Sequence, residues 1–138
     1  LFDEGSSKAD IDRVRADVEG AGGTAMLIAP KVGGIKVQGG TLKADGQLAG
    51  TPSVLLDAVA LVLTRAAAQK LAREGAAVDF VRDAFGHLKA IGCTADAEPL
   101  LQAAGVEPDE GVTGLDRKFV KAAAMRFFER EPRVRSLA

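Results

Sequence analysis

Cys93 is the single cysteine of a 138-residue chain, and the segment around it has the outline of a nucleophile turn. An apolar strand is expected over Leu88 to Ile91. It runs into Gly92-Cys93 and then into a helix carrying Leu100, Leu101 and Ala104. A thiol at a strand-to-helix turn meets free backbone N–H groups and the positive end of the helix, and both favour the thiolate. The same amides can hold an oxyanion. The chemistry would be that of a cysteine hydrolase with Cys93 attacking, and it needs a base. His87, the only histidine, precedes the strand. At about 3.3 Å per residue it falls at the far end of that strand from the turn, so it is expected to cap its helix. Without a base, Cys93 reads as a small apolar filler, the usual role of an unpaired cysteine.

Other groups could do chemistry. Asp3, Glu4, Asp57 and Lys89 have the composition of a phospho-receiver pocket. Asp57 and Lys89, however, start their strands, whereas Asp3 ends one, so they are expected at opposite edges of a sheet. Gly5-Ser6-Ser7 ahead of a helix could cradle a phosphate, but Asp3 and Glu4 just before it repel anions, and a polar helix cap is the simpler reading. One His and one Cys are too few for a zinc centre. With no Tyr anywhere, a tyrosine-ligated haem is impossible within this chain. Arg130, Arg133 and Arg135 form a basic cluster around Pro132 that reads as a solvated tail or a dock for a partner subunit.

The elements that must position these groups alternate short β-rich and helical runs, the pattern of βαβ units around a mostly parallel sheet. A helix is expected over residues 8–20, with Ile11, Val14 and Val18 on one face and Gly20 and Gly22 at its end. Thr24 to Ala29 reads as a buried strand stopped by Pro30. Asp45-Gly46 is a hairpin-turn signal and places small antiparallel pieces at the sheet edge. Asp57 to Leu63 is a continuous apolar run, expected as a central parallel strand. Thr64 caps a helix ending at Gly75, and a second helix spans Ala77 to Phe85. Gly111 to Thr113 is a short last strand. Asp116 to about Glu131 is the final helix, with Phe119, Val120, Ala123 and Phe127 inward. Only Leu1-Phe2 precede the turn DEGSS, so the first strand of the sheet is expected to be truncated and the chain to be a fragment of a longer protein.

Composition sets the bounds. The length suits one domain, residues 1–138, and 47% hydrophobic residues supply a core. Eighteen basic against nineteen acidic residues leave a net charge of -1, which argues against nucleic acid or an anionic membrane as partner. No apolar run approaches the roughly 20 residues of a membrane span. The polar start lacks a secretory leader, and the lone cysteine suits a reducing compartment, so a cytoplasmic setting is expected.

Five stretches carry a resemblance to the C-terminal domain of large-subunit haem catalases: LFDEGSSKADI, GGTAMLIAPKVGGIKVQGG, LAGTPSVLLDAVALVL, AFGHLKAIGCTADAEPLLQAAGVEPDEGV and FVKAAAMRFFEREPRVRSLA. HLKAIG and REPRVR are the distinctive pieces. The resemblance implies a flavodoxin-like three-layer α/β/α sandwich with a mostly parallel sheet and a small edge hairpin, related to DJ-1/PfpI and class I glutamine amidotransferase folds. It implies that haem belongs to a separate catalase core, with no cofactor in this chain. The implied partners are that core in the same polypeptide and neighbouring subunits. The implied role is non-catalytic, in stability and assembly of a peroxide-decomposing tetramer. Setting Lys89-Ala90-Ile91 on the strand that leads to the DJ-1/PfpI nucleophile puts Gly92, not Cys93, at that position. The acid of that site would fall at about Ser6 or Ser7, and its histidine at Thr94 or Ala95. The alternatives are a DJ-1-like thiol hydrolase or glyoxalase using Cys93, and a small-ligand or chaperone-like module using the crevice beyond the first strand.

Overall fold

The computed structural model describes residues 1–125; Phe127, Pro132 and the arginine cluster lie outside them, and the final helix expected to run to about Glu131 ends at Ala123. Helix α1 (Lys8–Gly20) starts where the Ser7 hydroxyl accepts the Asp10 amide and buries Ile11. Strand β1 (Ile28–Ala29) is followed by the antiparallel pair β2 (Gly34–Val37) and β3 (Gly40–Lys43), and then by β4 (Gly46–Gln47). Two single 3-10 turns, Leu48–Gly50 and Ser53–Leu55, lead into β5 (Ala58–Leu61). Helices α2 (Arg65–Leu71) and α3 (Gly75–Gly86) precede β6 (Ala90–Cys93). A 3-10 turn, Ala95–Ala97, opens α4 (Glu98–Ala103), and β7 (Val112–Thr113) and α5 (Arg117–Ala123) follow.

Apart from the antiparallel β2–β3 pair, the strands form one parallel succession. β1 pairs with β4, and β5 pairs with β6, which pairs with β7. Leu1-Phe2 joins the two groups: Phe2 bridges Val62 in parallel, and its amide donates to the Ile28 carbonyl at 3.0 Å. Taking Leu1-Phe2 as the first strand and leaving out the edge pieces, the order is 2-1-3-4-5, that of flavodoxin-like sheets. Helices α2, α3 and α4 cover one face over Val59, Leu61 and Ile91. Helices α1 and α5 pack together on the other, where Phe2, Ile11, Val62 and Leu115 cluster. β5 alternates between these faces, so its unbroken apolar run is that of a strand covered on both sides.

Four sequence expectations are corrected. The strand expected over Thr24 to Ala29 shortens to Ile28–Ala29, and Met26 is 49% exposed. Propensity there is not met by a neighbouring strand. The hairpin turn lies at Gln38-Gly39, where Gly39 (φ 106) and Gly40 (φ 149) take conformations that favour glycine. Asp45-Gly46 instead enters β4, with the Asp45 amide on the Leu27 carbonyl and the Asp45 carboxylate accepting the Leu27 amide. The helix after Thr64 ends at Leu71 rather than Gly75. The strand expected at Leu88 to Ile91 lies two residues later, because Leu88, at φ 64, still belongs to the turn closing α3.

Candidate functional site

That two-residue shift changes the Cys93 segment. Gly92 and Cys93 are strand residues: Gly92 pairs with Ala60 on one side and Thr113 on the other, and Cys93 pairs with Leu61. Neither has a positive φ, so neither takes the strained backbone of a nucleophile elbow. The turn follows at Thr94, whose amide donates to the Leu61 carbonyl at 3.0 Å. Its hydroxyl donates to the Leu63 carbonyl at 2.9 Å and accepts the Leu63 amide. Thr94 thus staples the end of β6 to the end of β5, a role its position in the sequence does not announce.

The Cys93 thiol points its S–H toward the Thr113 carbonyl at 3.7 Å, and burial raises its pKa above the ordinary thiol value. His87 caps α3, with Nδ1 2.7 Å from the Asp83 carbonyl oxygen, in an exposed position before β6. Ser6 is buried; its hydroxyl donates to the Val62 carbonyl and accepts the Asp3 amide. Ser7 is spent on capping α1. A β-carbon added at Gly92 would stand 2.8 Å from Cγ of Phe119 and 3.0 Å from Cδ2 of Leu115. Helix α5 therefore lays an aromatic ring over the position where a side chain at residue 92 would project. A glycine inside a strand is the sequence signal for such a close approach.

The crevice beyond the C-terminal ends of Leu1-Phe2 and β5 is where ligands bind in sheets of this order. Here Asp3 is 1% exposed, accepts the Glu4 amide at 2.8 Å and takes the Lys70 ammonium at 3.0 Å. The hydrogen bond to Asp3 raises the Lys70 pKa. Gly5 (φ 80) brings the turn against Thr64, the N-cap of α2. At the opposite end, Lys89 is buried and donates to the carbonyls of Ser53 and Val54 at 2.9 and 2.8 Å, while Asp57 precedes β5. The structure thus keeps Asp3 apart from Asp57 and Lys89, and no receiver-type pocket forms. Among the described residues no group of three His, Cys, Asp or Glu side chains could hold a metal, and no helix is long and apolar enough to cross a membrane.

The fold places the chain among proteins with a DJ-1/ThiJ/PfpI-like architecture. It superposes on a two-domain protein from Anabaena variabilis containing DJ-1/ThiJ/PfpI-like and ferritin-like domains, with a TM-score of 0.71 at 17% identity, over 80% of this chain and 33% of that one. Residues 2–132 match the sequence profile of the C-terminal domain found in long catalases, and the chain belongs to that family. Catalase C of Rhizobium meliloti is 40% identical over 144 residues, 98% of this chain and 20% of that catalase. Catalase HPII of Pseudomonas aeruginosa is 29% identical over 113 residues, 81% of this chain and 16% of that catalase. The chain therefore spans a fifth or less of the length of these relatives.

Proposed function

We propose that the chain is a non-catalytic accessory domain of a peroxide-decomposing catalase, acting by packing against the catalase core of the same polypeptide and against neighbouring subunits to stabilise a tetramer. The observation that carries the non-catalytic part is the Phe119 ring over Gly92. A site descended from thiol enzymes would need open space there, and the space is filled by side chains of α5 and the loop before it. Cys93, one residue on, lies in the strand, where burial raises its thiol pKa and no base among the described residues hydrogen-bonds to it.

Haem is the cofactor that membership of a catalase family brings into question, and these residues do not suit it. The wall of the apolar cavity beside α1, α5 and the edge of β5 contributes no His, Tyr or Cys, and His87 stands outside it. The peroxide chemistry is accordingly assigned to the core, and no step of it runs through this domain.

The test is turnover of peroxide, of a dicarbonyl such as methylglyoxal and of a thioester by the isolated chain, beside Cys93→Ser. Background rates in both are expected. Turnover by the wild-type chain that Cys93→Ser abolishes would overturn the reading in favour of a thiol enzyme.

A further inference from the structure

Lys89 is 5% exposed, and its ammonium donates to the carbonyls of Ser53 and Val54 at 2.9 and 2.8 Å. A charge taken out of water is costly unless its protons find acceptors. Both acceptors lie on one short turn, Ser53–Leu55, in the connection between β4 and β5. That connection has few other polar ties. The Thr51 amide donates to the Leu48 carbonyl, the Leu55 amide to Pro52 and the Leu56 amide to Ser53. The Thr51 hydroxyl reaches back to the Gln47 carbonyl. All four bonds are local. Among the described residues, the hydrogen bonds that join residues 49–56 to a distant element are the two from Lys89. The Ser53 hydroxyl is buried with no partner among those residues, so it holds nothing. Leu48 and Leu56 fix the two ends by packing into the core cluster that contains Val59 and Phe80. Helix α3 packs against both 3-10 turns, while Val54 and Leu55 stand on the outer side, 52% and 74% exposed. The turn closing α3 aims the lysine. The Leu88 amide donates to Phe85 and the Lys89 amide to Ala84, both at 3.0 Å. Leu88 (φ 64) is the one non-glycine residue with a positive φ among the described residues. Such strain persists where the surrounding structure over-determines it.

We propose that residues 49–56 form a strap latched by the Lys89 ammonium, and that the strap opens and closes as a local unit while the rest of the fold stays intact. Closed, the strap lies on α3, and the Ser53 and Val54 carbonyls and the ammonium satisfy one another. Open, all three return to water, and Leu48 and Leu56 act as the hinges. Opening bares the side of α3 that the two turns cover and releases Val54 and Leu55 from their fixed presentation. The control point is the charge of one buried side chain, 36 and 35 residues away in sequence from its two acceptors. Removing that charge leaves two carbonyls without a donor and shifts the strap toward the open state. The inference stands on these contacts and does not rest on the accessory reading.

The experiment is native-state hydrogen exchange on the 138-residue chain across a series of low urea concentrations. In the wild-type chain the Thr51, Leu55 and Leu56 amides are expected to exchange about tenfold or more faster than the Ile91 amide inside β6, and with a weaker dependence on urea. A urea dependence equal to that of Ile91 would overturn the strap as a separate unit. Lys89→Met keeps an unbranched stem and removes the charge. It is expected to speed exchange of the three strap amides by about tenfold or more beyond any change at Ile91. An equal change at all four amides would make Lys89 a general stability residue and overturn the latch. Ser53→Ala removes the unpartnered hydroxyl and leaves the carbonyl, so it is expected to leave the three amides no faster than in wild type. Acceleration as large as that of Lys89→Met would place the hold in the Ser53 side chain and would also overturn the latch. The wild-type urea series needs no variant, so it tests the strap even where Lys89→Met does not fold.

Discussion

The Phe119 ring of α5 lies on Gly92 of β6 so closely that a β-carbon at position 92 would stand 2.8 Å from its Cγ. The contact joins residues on different elements and ties α5 to the sheet at β6. It is a packing contact made possible by the smallest residue.

Gly92→Ala is therefore expected to destabilise the chain by about 1–3 kcal/mol, the usual cost of overpacking a filled core. Phe119→Ala opens a cavity and is expected to cost about 3–5 kcal/mol. In the double variant the new methyl occupies part of that space, so the combined loss falls short of the sum. Urea unfolding of the four proteins measures the coupling; strict additivity would show that the two residues do not touch.

Cys93 is expected to alkylate slowly. Burial raises its pKa, so the pH dependence of its reaction with iodoacetamide should have a midpoint above the unperturbed thiol value of about 8.5. A midpoint below about 7 would mean an activated thiolate.

Much of this site could be read from residue order, and the part that could not is non-local. The apolar periods of α1 and α3, the Thr64 cap and the apolar run of β5 depend on neighbours in sequence and stand where expected. The Thr24–Ala29 strand fails because β-pairing needs a partner edge, and the inward edge of Thr24–Met26 has none among the described residues. Asp45-Gly46 carries a turn signal, but the Leu27 backbone takes Asp45 into a parallel pairing instead. Gly92 was legible as a glycine inside an apolar strand; that Phe119 fills the space above it was not, since 27 residues separate them.

The Asp3–Lys70 pair gives a pH signature. Lys70 has a raised pKa in the folded chain, so its contribution is fully present below the ordinary lysine value of about 10.4 and is lost as pH rises through the folded value. Lys70 is half exposed, and Lys70→Met is expected to cost less than about 1 kcal/mol at neutral pH. The variant should lose less stability than wild type between neutral pH and pH 11. Asp3→Ala also removes the acceptor of the Glu4 amide and is expected to cost about 1–3 kcal/mol. Denaturant midpoints across that pH range check both.

Thr64 accepts the Ala67 amide at 3.1 Å and opens α2 beside the crevice. Thr64→Ala is expected to cost about 1 kcal/mol, with Thr64→Ser close to wild type. Thermal melting of the pair checks this, and equal losses in both variants would place the cost in the methyl contact with Gly5 rather than in the cap.

The central claim is that this domain holds a catalase together without taking part in its chemistry. The most direct measurement is removal of the domain from the long catalase, reading peroxide turnover per haem and the temperature at which the tetramer dissociates. The expected result is unchanged turnover per haem at 25 °C and a dissociation temperature lowered by several degrees. An unchanged dissociation temperature, or turnover per haem that falls while the tetramer stays intact, would contradict it.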